Sequence, residues 1–473
     1  MTGRGEDGTS AAAARACGAP RRDADGQGAA QGAAARSLGL RGGLVVGVTL
    51  FSMFFGAGNL ILAPLLGVQA ASQTPLATLG FLISAVGLPV LTIAAIALSG
   101  TVRDLVDRIN PFFSEVFAAA VYLAIGPFLA IPRTATTSFE MVRPLLGDAG
   151  NAPMALAAFS VAFFTLAFAL ALRPSRLTEL MGRLSGPSLV ALIVLLVGAC
   201  VVSPPGTVAP AVGKGYVANA GVAGFVCGYQ TMDVLASLAF GLVIALNVRE
   251  LGLSDPTDVA RQVIRSGAVA GVILALIYCG LSYLGFSMGS VMPDAANGAA
   301  VIAAAAAIEF GGVGSVLVAV IFALACLNVC IGLICSIGAY FAERYDRLSY
   351  RQWALAITLV SLGLSNFGLT TILGYSVPLL SALYPVAICI AVMGLVQRGG
   401  GNAWAWRLAV GLCAIDSVAV ALRDGFAPKL ELPLLDQLPL ADLSMGWVLP
   451  AVAGFALGLV VERVVTSRTA AAR

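Results

Sequence analysis

About twelve apolar segments follow one another between residues 44 and 463, and most are long enough to cross the hydrocarbon core of a bilayer. They occupy 44–71, 75–99, 113–140, 153–172, 187–203, 218–246, 263–288, 312–341, 351–366, 371–396, 404–422 and 443–463. In lipid, every backbone N–H and C=O must be satisfied within the chain. Such segments therefore fold as helices or as a closed barrel. Barrel strands alternate apolar and polar residues, and no segment here does so. The chain is 59% hydrophobic and 11% charged, against roughly 25% charged residues in soluble domains. The reading is an all-α polytopic membrane protein with about 12 transmembrane helices. Residues 297–310 are too short and too small to cross, and are expected to form a short helix outside the bilayer.

The basic residues test this division, because cytoplasmic loops hold an excess of Lys and Arg. Twenty-two of the 27 fall on one side when the segments alternate, among them Arg4, Arg103, Arg173, Arg249, Arg344, Arg398 and Arg463. Arg143, Lys214, Arg423 and Lys429 fall on the other, and Arg133 lies inside a segment. Both termini are thereby expected in the cytoplasm. Residues 1–40 contain Gly, Ala, Arg, Asp and Gln with no apolar run, and lack the core of a signal peptide. They read as a disordered cytoplasmic tail, since they bury too little apolar surface to offset chain entropy. Residues 41–466 are expected to form one transmembrane domain, and 467–473 a cytoplasmic C-terminal tail.

Several chemistries drop out. The chain has nine Cys and no His, which removes His-based metal sites, general bases and proton relays. Most of the cysteines sit in apolar segments as small hydrophobes, at no zinc or redox spacing. Gly285-Phe-Ser287-Met-Gly289 matches the nucleophile-elbow pattern. It lies at the end of an apolar segment, though, and no His exists to activate Ser287. The chain is not read as an enzyme.

Within the first segment stands Gly56-Ala57-Gly58-Asn59, with Pro64 after it. Two glycines and an asparagine at membrane depth predict an unwound helix there. Bare backbone is tolerated at that depth only where it faces protein, water or a ligand, as in transporters with discontinuous helices. Close packing of small residues is the competing explanation. An inverted repeat requires a second broken segment five positions later. The sixth supplies one, Gly228-Tyr229-Gln230-Thr231-Met232-Asp233, with Gly228 as the expected break point. An intramembrane Asp costs about 2.5–3.5 kcal/mol and faces a cavity or a partner. Arg133 needs a partner too, and Glu140 or Asp233 are within reach. These three are candidates for gating or coupling.

The chain resembles the bacterial branched-chain amino acid carrier II proteins, the LIVCS or BrnQ-type symporters. The matching stretches include Phe55-Gly-Ala-Gly-Asn-Leu-Ile61, Gly126-Pro-Phe-Leu-Ala-Ile-Pro-Arg-Thr-Ala-Thr-Thr-Ser-Phe-Glu140 and Gly228-Tyr-Gln-Thr-Met-Asp233. Asn297-Gly-Ala-Ala300 and Ser376-Val-Pro-Leu-Leu-Ser-Ala-Leu-Tyr-Pro385 also match. The resemblance implies a LeuT-like five-plus-five inverted repeat with helices 1 and 6 broken. It also implies cation-coupled uptake of leucine, isoleucine and valine. Sodium is the implied ion, with Ser52, Phe55, Asn59 and Ser336 around it. A second sodium site in this fold draws on a Thr-Ser pair after Gly-Leu. Here the stretch reads Gly332-Leu333-Ile334-Cys335-Ser336. Ile334 has no side-chain oxygen, and Cys335 is a poor ligand for a hard cation.

The backbone chemistry fits a zwitterionic substrate. N–H groups after the break, at Ala57 and Gly58, form the positive end of a half-helix suited to a carboxylate. Carbonyls from Met53 to Phe55 suit a cation or an ammonium group. The substrate-binding set is Phe55, Gly56, Ala57, Gly58, Gly228, Tyr229 and Thr231, with Phe51, Phe54 and Phe225 as further apolar candidates. An apolar pocket distinguishes one methylene by only about 1–3 kcal/mol, so a carrier shared by three branched substrates is expected. The expected partners are these amino acids and the lipid bilayer, with no cofactor beyond the coupling ion and no nucleic acid. Proton coupling through Asp233 or Glu140, another neutral substrate, an amino acid sensor and a small-solute channel stand as alternatives.

Overall fold

The computed structural model describes residues 38–471, apart from 153, 212, 296, 346, 398–401, 428–429 and 442–444. The predicted disordered tail lies almost wholly outside the described residues. Among those described there is no strand. The longer helices are α1 Gly39–Phe54, α2 Ala57–Ala70, α3 Thr74–Leu82, α4 Leu88–Ser99, α5 Pro111–Leu123, α6 Ala130–Val142, α7 Ala155–Ala171, α8 Gly186–Val202, α9 Lys214–Tyr229, α10 Asp233–Glu250, α11 Pro256–Ser287, α12 Gly298–Phe310, α13 Gly312–Arg344, α14 Tyr350–Ser365, α15 Leu369–Val396, α16 Ala403–Phe426 and α17 Val448–Ala471. Each predicted apolar segment falls on one or two of them. By length and composition, eight helical stretches among the described residues can cross a membrane, or nine if α9 and α10 count as one bent span.

The first predicted break is present. Phe55 and Gly56 are extended between α1 and α2, with φ/ψ of −77°/94° and −125°/−161°. The Phe55 N–H still donates to the Phe51 carbonyl at 2.8 Å, and the Leu60 N–H to the Gly56 carbonyl at 3.1 Å. The opening is therefore only about one turn tall.

The second break corrects its predicted position. Gly228 is helical, within α9, and the chain departs from the helix at Gln230-Thr231-Met232. Met232 adopts φ +68°, a left-handed conformation that costs a non-glycine residue energy. The two halves meet at 45°. Gly228 serves packing instead. A Cβ there would strike the Ser84 hydroxyl, which donates to the Phe225 carbonyl at 2.6 Å and ties α9 to the wide π turn Ile83–Gly87.

A third interruption was not anticipated. Gly126 (φ −89°, ψ −121°) and Leu129 (φ −126°, ψ −67°) split α5 from α6. Pro127 between them lacks the N–H that an unbroken helix would use. This bend sets the first turns of α6, including Arg133, against the opening between α1 and α2.

Small residues let the central helices approach closely. Where α2 crosses α11, a Cβ at Gly67 would meet Phe286 N at 2.7 Å, and one at Gly285 would overlap the Pro64 carbonyl. The expected short helix at 297–310 is α12. Asn297 caps it, accepting from the Ala300 N–H at 2.9 Å, and Gly298 rests on the Ile61 backbone of α2.

Candidate functional site

The two breaks face each other. Asn59, in the first turn of α2, donates from Nδ2 to Asp233 Oδ2 at 2.8 Å. It also donates to the hydroxyl of Tyr278 on α11. The Tyr278 hydroxyl in turn donates to Asp233 Oδ2 at 3.3 Å. All three residues are buried, at 2%, 2% and 0% exposure for Asn59, Asp233 and Tyr278. The reverse amide orientation would set two oxygens against each other. Thr231 closes the second break by donating to the Gly228 carbonyl at 2.8 Å and accepting from the Asp233 N–H at 3.4 Å.

Asn59, Thr231 and Asp233 line a cavity of about 40 Å³. Gly56, Ala57, Gly58 and Asn59 from the first break line it together with Thr231, Met232 and Asp233 from the second and Arg133 and Thr134 of α6. Met53, Phe54, Ile125, Ala130, Ala236, Val329 and Leu333 complete an apolar wall. The cavity is well below the roughly 300–1,000 Å³ of small-molecule pockets, so these walls must part to admit an amino acid.

The predicted residues divide by this geometry. Gly56, Ala57, Gly58, Asn59, Arg133, Thr231 and Asp233 come together around the cavity. Ser52, Phe55, Gly228, Tyr229, Glu140 and Ser336 do not line it. Ser52 donates to the Val48 and Met181 carbonyls at 2.8 and 3.3 Å. The Ser336 hydroxyl donates to the Gly332 carbonyl at 2.8 Å. Cys335 turns its thiol to the Ala171 carbonyl of α7, 3.6 Å away. The Phe55 ring stacks on Phe51 at 5.3 Å and leans on Tyr278 at 6.1 Å. Tyr229 packs on Phe225 and Tyr384, at 5.3 and 4.9 Å between ring centres.

The expected pairing of Arg133 is not seen. Glu140 pairs with Arg143 at 3.4 Å, and Asp233 is held by Asn59 and Tyr278. The guanidinium of Arg133 instead lies over Gly58, where a Cβ would collide with Nη2. Tyr278 is the principal residue that sequence reading missed. Its signal was a phenol in the middle of the apolar run 263–288, where a buried Tyr needs a partner for its hydroxyl.

The family model described as branched-chain amino acid transport protein matches residues 41–465. Among curated relatives, the branched-chain amino acid permease BrnQ of Bacillus subtilis (strain 168) is 34% identical over 431 residues, covering 89% of this chain and 96% of the relative. The branched-chain amino acid transport system 3 carrier protein of Pseudomonas aeruginosa is 40% identical over 430 residues, with 89% and 96% covered. Among solved structures, Mhp1, a nucleobase-cation-symport-1 family transporter in a closed conformation with bromovinylhydantoin bound, is similar at a TM-score of 0.60. It is 14% identical and covers 90% of this chain and 93% of its own. MhsT in complex with L-phenylalanine is similar at 0.51, with 14% identity and 88% and 97% covered. At this identity the structures speak to the fold alone, that of helical transporters with inverted repeats.

Proposed function

Because this chain belongs to the branched-chain amino acid transport protein family, we propose that it carries leucine, isoleucine and valine into the cell by sodium-coupled symport. One observation carries the reading. Both broken helices open onto a single cavity lined by polar backbone, Asn59 and Asp233 and otherwise by apolar side chains. A zwitterion must exchange the hydration of two charges for protein groups, and broken helices offer N–H and C=O groups at membrane depth. A branched aliphatic side chain needs only an apolar wall. Met53 in that wall and Met232 at the second break give the cavity the adaptability to accept three shapes. Asp233 and the oxygens near it are the groups suited to a hard cation. The asymmetry of basic residues supports a place in the bacterial cytoplasmic membrane with both termini inside.

Purified protein in liposomes tests this. An inward sodium gradient should drive accumulation of labelled leucine, with isoleucine and valine competing and glutamate and lysine not. Lysine competing as well as valine would sink the substrate assignment. A second reading, proton coupling, is favoured by the full burial of the Asp233 carboxyl at membrane depth. Uptake that ignores sodium, follows a pH gradient and loses its coupling in Asp233→Asn would select it.

A further inference from the structure

Arg133 is half-buried at membrane depth, and its guanidinium has no hydrogen bond and no ion pair within 4 Å among the described residues. A cation in that setting is costly unless something neutralises it. The carboxylates that sequence places in reach are engaged elsewhere. Glu140 is with Arg143. Asp233 lines the same cavity and makes no ion pair with Arg133 within 4 Å; Asn59 and Tyr278 donate to its carboxylate. The bend at Gly126–Leu129 brings α6 in at the side of the cavity, and Gly58 leaves room for the guanidinium by having no side chain. Arg133 also meets the first turn of α2, the end of the helix that carries positive partial charge. Two sources of positive potential therefore line one cavity, with Asp233 as the acidic residue among its lining.

We infer that Arg133 binds the substrate's carboxylate directly, as a specificity-determining residue that rejects amines and amides lacking that group. The planar guanidinium presents paired N–H donors that match the two oxygens of a carboxylate. The α2 amides complete the anion site. In this role Arg133 is neither gate nor tether, and its charge is neutralised each time a substrate occupies the cavity. The inference rests on the transport reading, since it assumes an amino acid enters here.

The test is binding to the full-length protein in detergent, by calorimetry, using L-leucine and L-leucinamide, which differ in the carboxylate alone. The wild type should prefer leucine. In Arg133→Gln, leucine affinity should fall at least about tenfold, in keeping with loss of charged hydrogen bonds. The preference over leucinamide should shrink to within about twofold. Arg133→Lys, which keeps the charge but loses the fork, should lie between, and it carries the test if the Gln variant does not assemble. A variant that binds leucine as the wild type does, with the preference intact, overturns the inference and leaves the transport reading standing. A wild type that binds no branched-chain amino acid overturns both.

Discussion

The amide of Asn59 and the carboxylate of Asp233, 174 positions apart in the chain, meet at 2.8 Å. Asn59 sits in the first turn after one helix break, and Asp233 is the first residue after the other. The bond therefore joins the two discontinuities directly, and Tyr278 braces it from a third helix. A polar link buried in lipid-depth protein is strong because no water competes for its partners. It is also easily used as a switch, since any ion or substrate group that draws on Asp233 must loosen it.

Asn59→Ala should raise the sodium concentration needed for half-maximal uptake by at least about tenfold, the scale of one hydrogen bond to a charged group, with membrane abundance little changed. Sodium titration of leucine uptake in proteoliposomes reads this. With Ile334 and Cys335 standing where a second ion would need hydroxyls, the wild-type titration should have a Hill coefficient near one.

Tyr278→Phe removes one of the two side-chain donors to Asp233 while keeping the ring against Phe81, 5.1 Å away. Uptake should fall about three- to thirtyfold, and detergent-solubilised stability should change by no more than about 1–2 kcal/mol. Normal uptake in this variant would mean that the brace is structural ornament around a link that needs only Asn59.

Gly58→Val should abolish uptake. A Cβ at position 58 collides with the Arg133 guanidinium, so the substitution displaces the cation from the cavity as well as narrowing it. Gly58→Ala should already impair transport severely. Labelled-leucine uptake alongside quantified membrane protein separates this from poor expression.

Gly228→Val should behave differently, because Gly228 faces Ser84 and the π turn away from the cavity. Overpacking of this kind costs about 1–3 kcal/mol. The variant should lose thermal stability in detergent, while the molecules that remain folded bind leucine with near wild-type affinity. Stability unchanged with binding abolished would return Gly228 to the site.

The apolar segments alone determined that this chain is a bundle of membrane helices, because lipid leaves the backbone no other way to satisfy itself. Composition likewise excluded an enzyme built on His, and the Gly56-Ala57-Gly58-Asn59 motif marked the first break to within a residue. Asp233 was legible for the same kind of reason, since a carboxylate at that depth is too costly to be incidental. The tertiary structure decided the rest. That Gly228 is for packing depends on Ser84, a residue 144 positions away in sequence, and the turn falls instead at Met232. That Arg133 faces Gly58 with no ion pair within 4 Å among the described residues depends on the bend at Gly126–Leu129 and on Arg143 holding Glu140. That Tyr278 completes the link depends on how α11 crosses α2. Local sequence marks a stretch where a helix is weakened, as at Gly56-Ala57-Gly58, without fixing which residue takes the turn. Which side chains then share a cavity follows from how whole helices pack, and no local pattern encodes it.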